Sequence, residues 1–298
     1  MIVKSIINGF KQVRRNMRIV YIFYLFNLLF GVLLMLPFRA PVSKMIGNTL
    51  WGEQLAGRFD FNFLLEFLAY SKDALPAISA FLTTVPIVYL LLSLFLSGGA
   101  FSIFVTGETF QPVRFWGDSA RYFGRFIRLG LFTIPVFLAF ILLPPLLVKG
   151  IQRLIWGSDP YQNILYWGGW LKVILRYSGF YLSVMIFDYA RIYVVENDES
   201  KMLLALKTGF LFVFKNLLRT GGLMLLIIVA GIIVLIIYNL IADVLTLPNA
   251  LVIIFLFLVQ QLYMFFRMLL RVTLYAGEVS LFQNSDAEEI LLASGEKA

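Results

Sequence analysis

Six stretches of about 20 mostly apolar residues recur along this chain, and that is the length an α-helix needs to cross bilayer hydrocarbon. They lie at about 18–37, 78–98, 127–147, 165–188, 218–241 and 249–270. Hydrocarbon offers the backbone no hydrogen bonds, so only α-helices and closed β-barrels survive in it. Barrel strands alternate apolar and polar residues over roughly ten positions. These runs do not alternate, so the chain is expected to be helical.

Composition carries the same message. Of 298 residues, 60% are hydrophobic and 14% charged. A soluble domain has roughly half and a quarter, and a water-soluble fold could not cover this much apolar side chain. The expected architecture is an all-α polytopic membrane protein with six transmembrane helices. Residues 1–280 form a single transmembrane domain and 281–298 a short cytoplasmic tail.

Basic residues set the expected orientation. The N-terminal segment and alternate connections, together with the C-terminal tail, hold 17 of the 25 Lys and Arg residues. The opposite side and the spans facing it hold eight. The positive-inside rule then places both termini in the cytoplasm. A basic segment of 16 residues precedes the first apolar run with no small-x-small cleavage site after it, so no signal peptide is expected. The outer connection, about 38–77, holds Trp51 and an apolar run at 61–68 expected to form a short interfacial helix.

Several chemistries are excluded. Without cysteine or histidine there is no thiolate or imidazole metal site, no disulfide and no Ser-His or Cys-His pair. Walker, nucleophile-elbow, zincin and dinucleotide motifs are also missing. We expect no catalytic residue, metal or cofactor. The net charge of +8 belongs to the flanks of spans rather than to a nucleic-acid module, so no nucleic acid is expected as a partner.

Two connecting segments read as amphipathic helices. Arg114, Asp118, Arg121, Arg125 and Arg128 follow one another at steps of 4, 3, 4 and 3, one stripe of a helix. Phe115, Trp116, Tyr122, Phe123, Phe126 and Ile127 fall opposite. Gln111-Pro112 suits the start, because proline fits the first helical turn. Lys4, Asn8, Lys11 and Arg15 make a similar stripe against Ile2, Ile6, Phe10 and Val13. Such helices lie in the headgroup plane and favour anionic lipid. Lys4, Lys11, Arg15, Arg114, Arg121, Arg125 and Arg128 are therefore the expected inner-leaflet contacts.

The same segments hint at an internal repeat. Residues 9–17 and 209–217 share Gly, Phe, Val, a basic residue and Asn at one spacing, each directly before a span. Residues 123–128 are a fainter copy. The even spans close on an aliphatic, an aromatic and then an acid, at Glu108, Glu196 and Glu278. The unit would be an interfacial helix, a span outward and a span back, repeated as three hairpins.

Polar groups inside spans are functional candidates because they are costly there. Lys172 and Arg176 lie four apart on one face. Arg176 would sit about 15 Å into the membrane by helix rise. They either bind an anionic group from the outer half or snorkel to the outer interface beside Trp167 and Trp170. Asp188 and Arg191, three apart near an inner end, read as an intrahelical ion pair. Gln260 and Gln261 sit mid-span, where polar residues glue helices together or line a polar path.

The stretches 187–192 (Phe-Asp-Tyr-Ala-Arg-Ile), Glu196-Asn197 and 205–210 (Ala-Leu-Lys-Thr-Gly-Phe) resemble bacterial six-span proteins similar to the membrane domain of glycerophosphoryl diester phosphodiesterases. The resemblance implies a bacterial inner-membrane module acting near phospholipids and names no catalytic residue. The expected function is thus non-enzymatic: contact with or organisation of anionic phospholipid, or support of other membrane proteins in a complex. The competing expectation is a transporter of a small anionic or amphiphilic solute, for which repeats and midplane polar groups are the usual pointers.

Overall fold

The structure, a computed structural model, describes residues 2–47, 61–157, 161–245 and 250–294, with side chains as far as Ser285. Among the described residues there are nine helices and no strand: α1 (Ile2–Arg15), α2 (Met17–Gly47), α3 (Phe61–Tyr70), α4 (Leu75–Thr106), α5 (Pro112–Trp156), α6 (Gln162–Glu196), α7 (Met202–Lys215), α8 (Leu217–Val244) and α9 (Ala250–Ser294). Six of these, α2, α4, α5, α6, α8 and α9, are long and apolar enough to span a membrane. Their most apolar windows are only 6% to 22% buried within the protein. Water would not tolerate that much exposed apolar surface, whereas lipid does. The chain is a multi-pass, all-α membrane protein.

Helices outrun the apolar windows. The third span was expected over about 127–147, but α5 continues through Pro144 and Pro145 to Trp156. Likewise α2 passes Pro37 and Pro41 to reach Gly47. Each proline removes one ladder hydrogen bond. Where water is scarce, an opened ladder costs more than a kink, so the helix persists. At 45 residues, α5 rises about 68 Å, more than twice the hydrocarbon thickness. The interfacial helix expected over 111–128 is therefore its first turns, starting from an extended Gln111 with Pro112 at the first position. The short helix expected near 61–68 is α3, whereas Trp51 lies outside the described residues. At the other end, α9 stays packed beyond 280, with Leu281 and Phe282 buried, where the tail was expected to begin.

The chain divides into two compact units. One comprises residues 17–93 and 228–271. Within it Met45, Phe67 and Ile78 form a core, and Phe38 and Phe63 stack on Phe67. The Tyr24 hydroxyl donates to Gln261 Oε1 at 2.8 Å. Arg271 donates to Ser93 Oγ at 2.6 Å and to the Tyr89 hydroxyl at 3.1 Å.

The second unit comprises residues 1–16, 94–227 and 272–298. It gathers α1, α5, α6 and α7 with the ends of α4 and α9 and the start of α8. Tyr189, Phe101, Phe104, Phe115 and Phe126 are its largest fully buried side chains. Two asparagines make its one-residue joints. Asn16 separates α1 from α2; its side-chain amide donates to Gln12 O at 3.0 Å and its Oδ1 accepts from Phe110 N–H at 2.7 Å. Asn216 separates α7 from α8, and its amide donates to Phe212 O at 3.3 Å.

Candidate functional site

The candidate site lies in this second unit, where small residues let helices cross at backbone distance. A Cβ added at Gly9 of α1 would stand 2.7 Å from Gly277 N in α9. One added at Gly209 of α7 would stand 2.7 Å from Ala190 N in α6. One added at Gly99 of α4 would stand 2.5 Å from Ser119 Oγ and from Phe115 O in α5. Each amphipathic segment is thus pressed against the end of a long helix.

Those three helix ends enclose a buried charge cluster. Asp188, Arg191 and Glu278 are 3%, 5% and 1% exposed. Arg191 pairs with Asp188 through Nη2, and its Nη1 donates to Ser97 Oγ at 2.8 Å. Its guanidinium faces the rings of Phe187 at 4.5 Å, Phe101 at 4.9 Å, Tyr275 at 5.5 Å and Phe126 at 5.7 Å. Aromatic faces attract a cation that has left water behind. Glu278 feels repulsion from Asp188 and attraction to Arg191. Among the described residues, Glu278 Oε2 and the Tyr189 hydroxyl have no hydrogen-bond partner. The Asp188–Arg191 pair was expected at an interface; it is instead the polar centre of a core. Glu278 was missed as a member, because its place past the sixth apolar run reads as a flank. Its recurrence as an acid closing an even span was the available signal. Chemically, the cluster ties α4, α6 and α9 together through one cation. Among the described residues, no group of three or more His, Cys, Asp or Glu side chains is arranged to hold a metal.

The expected basic stripes divide into engaged and exposed members. On α5, Arg114 pairs with Glu108 and lies 3.6 Å from Asp118. Arg121 and Arg125 each reach the Asp198 carboxylate at 2.6 Å. The hydrogen bond from Arg125, with both arginine charges, holds Asp198 below the usual carboxylate range. Backbone N–H donation from Lys201 and Ser200 does the same for Glu199. Arg128 donates to Gly124 O in its own helix, and Arg15 to Gly107 O. Lys4 and Lys11 are exposed.

The aromatic face of α5 was expected to meet headgroups, but Phe115, Tyr122 and Phe126 are buried in the protein. Core packing claims them because α4 offers the Gly98-Gly99 groove opposite. Each amphipathic segment still exposes an apolar row, which includes Phe10 and Trp116 of the expected faces: Val3, Ile7 and Phe10 on α1, Val113 and Trp116 on α5, and Leu203, Leu211 and Phe214 on α7.

The remaining sites are dispersed. On α6, Lys172 is half-buried and Arg176 exposed, and neither has a hydrogen bond or ion pair among the described residues. Gln261 takes the Tyr24 hydrogen bond, while its neighbour Gln260 is exposed. No protein-family model matches the chain, and no curated protein or solved structure is similar to it at a significant level.

Proposed function

We propose that this chain is a non-enzymatic protein of the bacterial inner membrane that contacts and organises anionic phospholipid, with both termini in the cytoplasm. The observation that carries the reading is the row of exposed apolar side chains on each of three amphipathic segments, set beside basic residues. Val3, Ile7 and Phe10 flank Lys4, Lys11 and Arg14; Leu203, Leu211 and Phe214 flank Lys207 and Lys215. An interfacial helix buries such a row among acyl chains while its cations meet headgroups. Each surface Lys or Arg adds about 1 kcal/mol of attraction to an anionic leaflet. Lys172 and Arg176 would meet an anionic group from the outer half. Organisation of a membrane complex is compatible with the same surface, and the resemblance to phosphodiesterase membrane domains points toward phospholipid.

The proposal includes a threefold repeat. Its support is the equivalence of three close crossings, which aligns Gly99, Ala190 and Gly277. Ala100, Arg191 and Glu278 then occupy one position of the unit, and Ser97, Asp188 and Tyr275 another. This register differs from one that pairs the closing acids Glu108, Glu196 and Glu278. In it, α5 and α7 each pack on the helix end that precedes them, and α1 packs on the last, as a cyclic repeat requires.

The test is lipid retention by the full-length protein, read by native mass spectrometry from mixed anionic and zwitterionic bilayers. Anionic lipid is expected to be enriched, less so in a Lys4→Gln, Arg14→Gln, Lys207→Gln variant. Equal enrichment of zwitterionic lipid contradicts the reading. A Lys172→Ala, Arg176→Ala variant isolates the outer pair, whose role falls if retention is unchanged.

A further inference from the structure

A polar groove of about 320 Å³ opens between α1 and α9, lined by Asn8, Lys11, Gln12, Ser280, Gln283 and Asn284. Among the described residues the lining contains one cation, four amides and a hydroxyl, and no acid. Part of it is held in place: Gln283 Nε2 donates to Val105 O at 3.1 Å, and Asn284 Nδ2 to Ser280 O at 2.5 Å. Gln12 Oε1 is buried and has no partner among the described residues.

Packing does not require this lining. At the equivalent crossing of α7 on α6, the positions of Asn8, Lys11 and Gln12 are taken by Thr208, Leu211 and Phe212. Phe212 is buried there, with ring centroids 4.8 Å from Tyr189 and 4.7 Å from Phe282. One junction is closed by an aromatic ring and the other carries amides around a groove. A crossing that only had to pack would use the first solution.

We infer that the α1–α9 groove binds a small phosphate-bearing polyol, the chemistry of a glycerophosphate headgroup. The inference rests on the lipid reading and the repeat proposed above. Lys11 Nζ supplies the positive charge for phosphate, and no acid stands among the described lining residues. Amides both donate and accept, which suits hydroxyls. The volume lies at the small end of ligand pockets, about 300–1,000 Å³. Ile7 and Phe10 are exposed on the same helix, so a headgroup in the groove would have its acyl chains beside an apolar row.

The experiment is native mass spectrometry of the full chain in detergent, titrated separately with sn-glycerol 3-phosphate, phosphatidylglycerol and phosphatidylcholine. Asn8→Thr, Lys11→Leu, Gln12→Phe installs the residues of the α7 junction. Lys11→Glu alone reverses an exposed charge and leaves the crossing intact. Phosphatidylglycerol is expected to bind and to weaken roughly tenfold or more in both variants, as for loss of a hydrogen bond to a charged group. Glycerophosphate bound and lost in the same way marks the headgroup itself as the ligand. If glycerophosphate alone shows this loss, the groove stands with a soluble ligand and the lipid reading falls. If anionic lipid binds wild type and Lys11→Glu equally, the groove is overturned while the lipid reading stands. No binding of any probe overturns the groove.

Discussion

Arg191 carries the only cation of its buried cluster, and the cost of removing it is set by what remains. Asp188 would be left in a dehydrated core without the cation that pairs with it. Removing one partner of a buried pair costs about 3–5 kcal/mol, whereas exchanging a whole pair for apolar groups is often close to neutral. Arg191→Met is therefore expected to destabilise strongly, and Asp188→Leu, Arg191→Met by less than the sum of its two single changes. Denaturation of the four proteins in detergent measures the coupling, and strict additivity contradicts it. Asp188 and Arg191 were legible as a pair from their spacing of three. Their depth was not, because the four rings around the guanidinium come from four separate places in the chain. The partners of Arg271 were equally opaque, because Ser93 and Tyr89, which receive its hydrogen bonds, lie far from it in the chain.

At the scale of elements, the two asparagine joints do different amounts of work. Asn16 closes α1 and also accepts from Phe110 N–H and donates to Glu108 O, fastening the joint to the turn before α5. Among the described residues, Asn216 spends its side chain on its own helix. Asn16→Ala leaves a backbone donor without its acceptor and is expected to cost about 1–3 kcal/mol. Asn216→Ala is expected to cost under about 1 kcal/mol, the worth of one ordinary hydrogen bond. Equal thermal shifts for the two variants would contradict this account. The shared Gly-Phe and Asn of 9–16 and 209–216 exposed both joints in the sequence. The helix ends were harder to read. Hydropathy marks where a helix meets lipid, not where its hydrogen bonds stop, so α2 and α5 outlast their apolar runs and their prolines.

For the whole molecule, long apolar runs were enough to identify six spans, because a lipid-facing helix need not hide its sequence pattern. The amphipathic segments were legible as helices from their charge spacing. Which apolar face turns inward was not, since Phe115 and Trp116 are adjacent in sequence and only the glycines of α4 decide between them. The account places α1, α7 and the loop before α7 on the cytoplasmic side, and the turn before α4 outside. The chain has no cysteine, so single cysteines report accessibility without background. Lys4→Cys, Lys201→Cys and Lys72→Cys, each exposed, are to be treated with an impermeant maleimide in intact spheroplasts and again after permeabilisation. Lys72→Cys is expected to label in intact spheroplasts, and Lys4→Cys and Lys201→Cys only once the membrane is opened. Labelling of Lys4→Cys in intact spheroplasts would contradict the orientation, and the inner-leaflet reading with it.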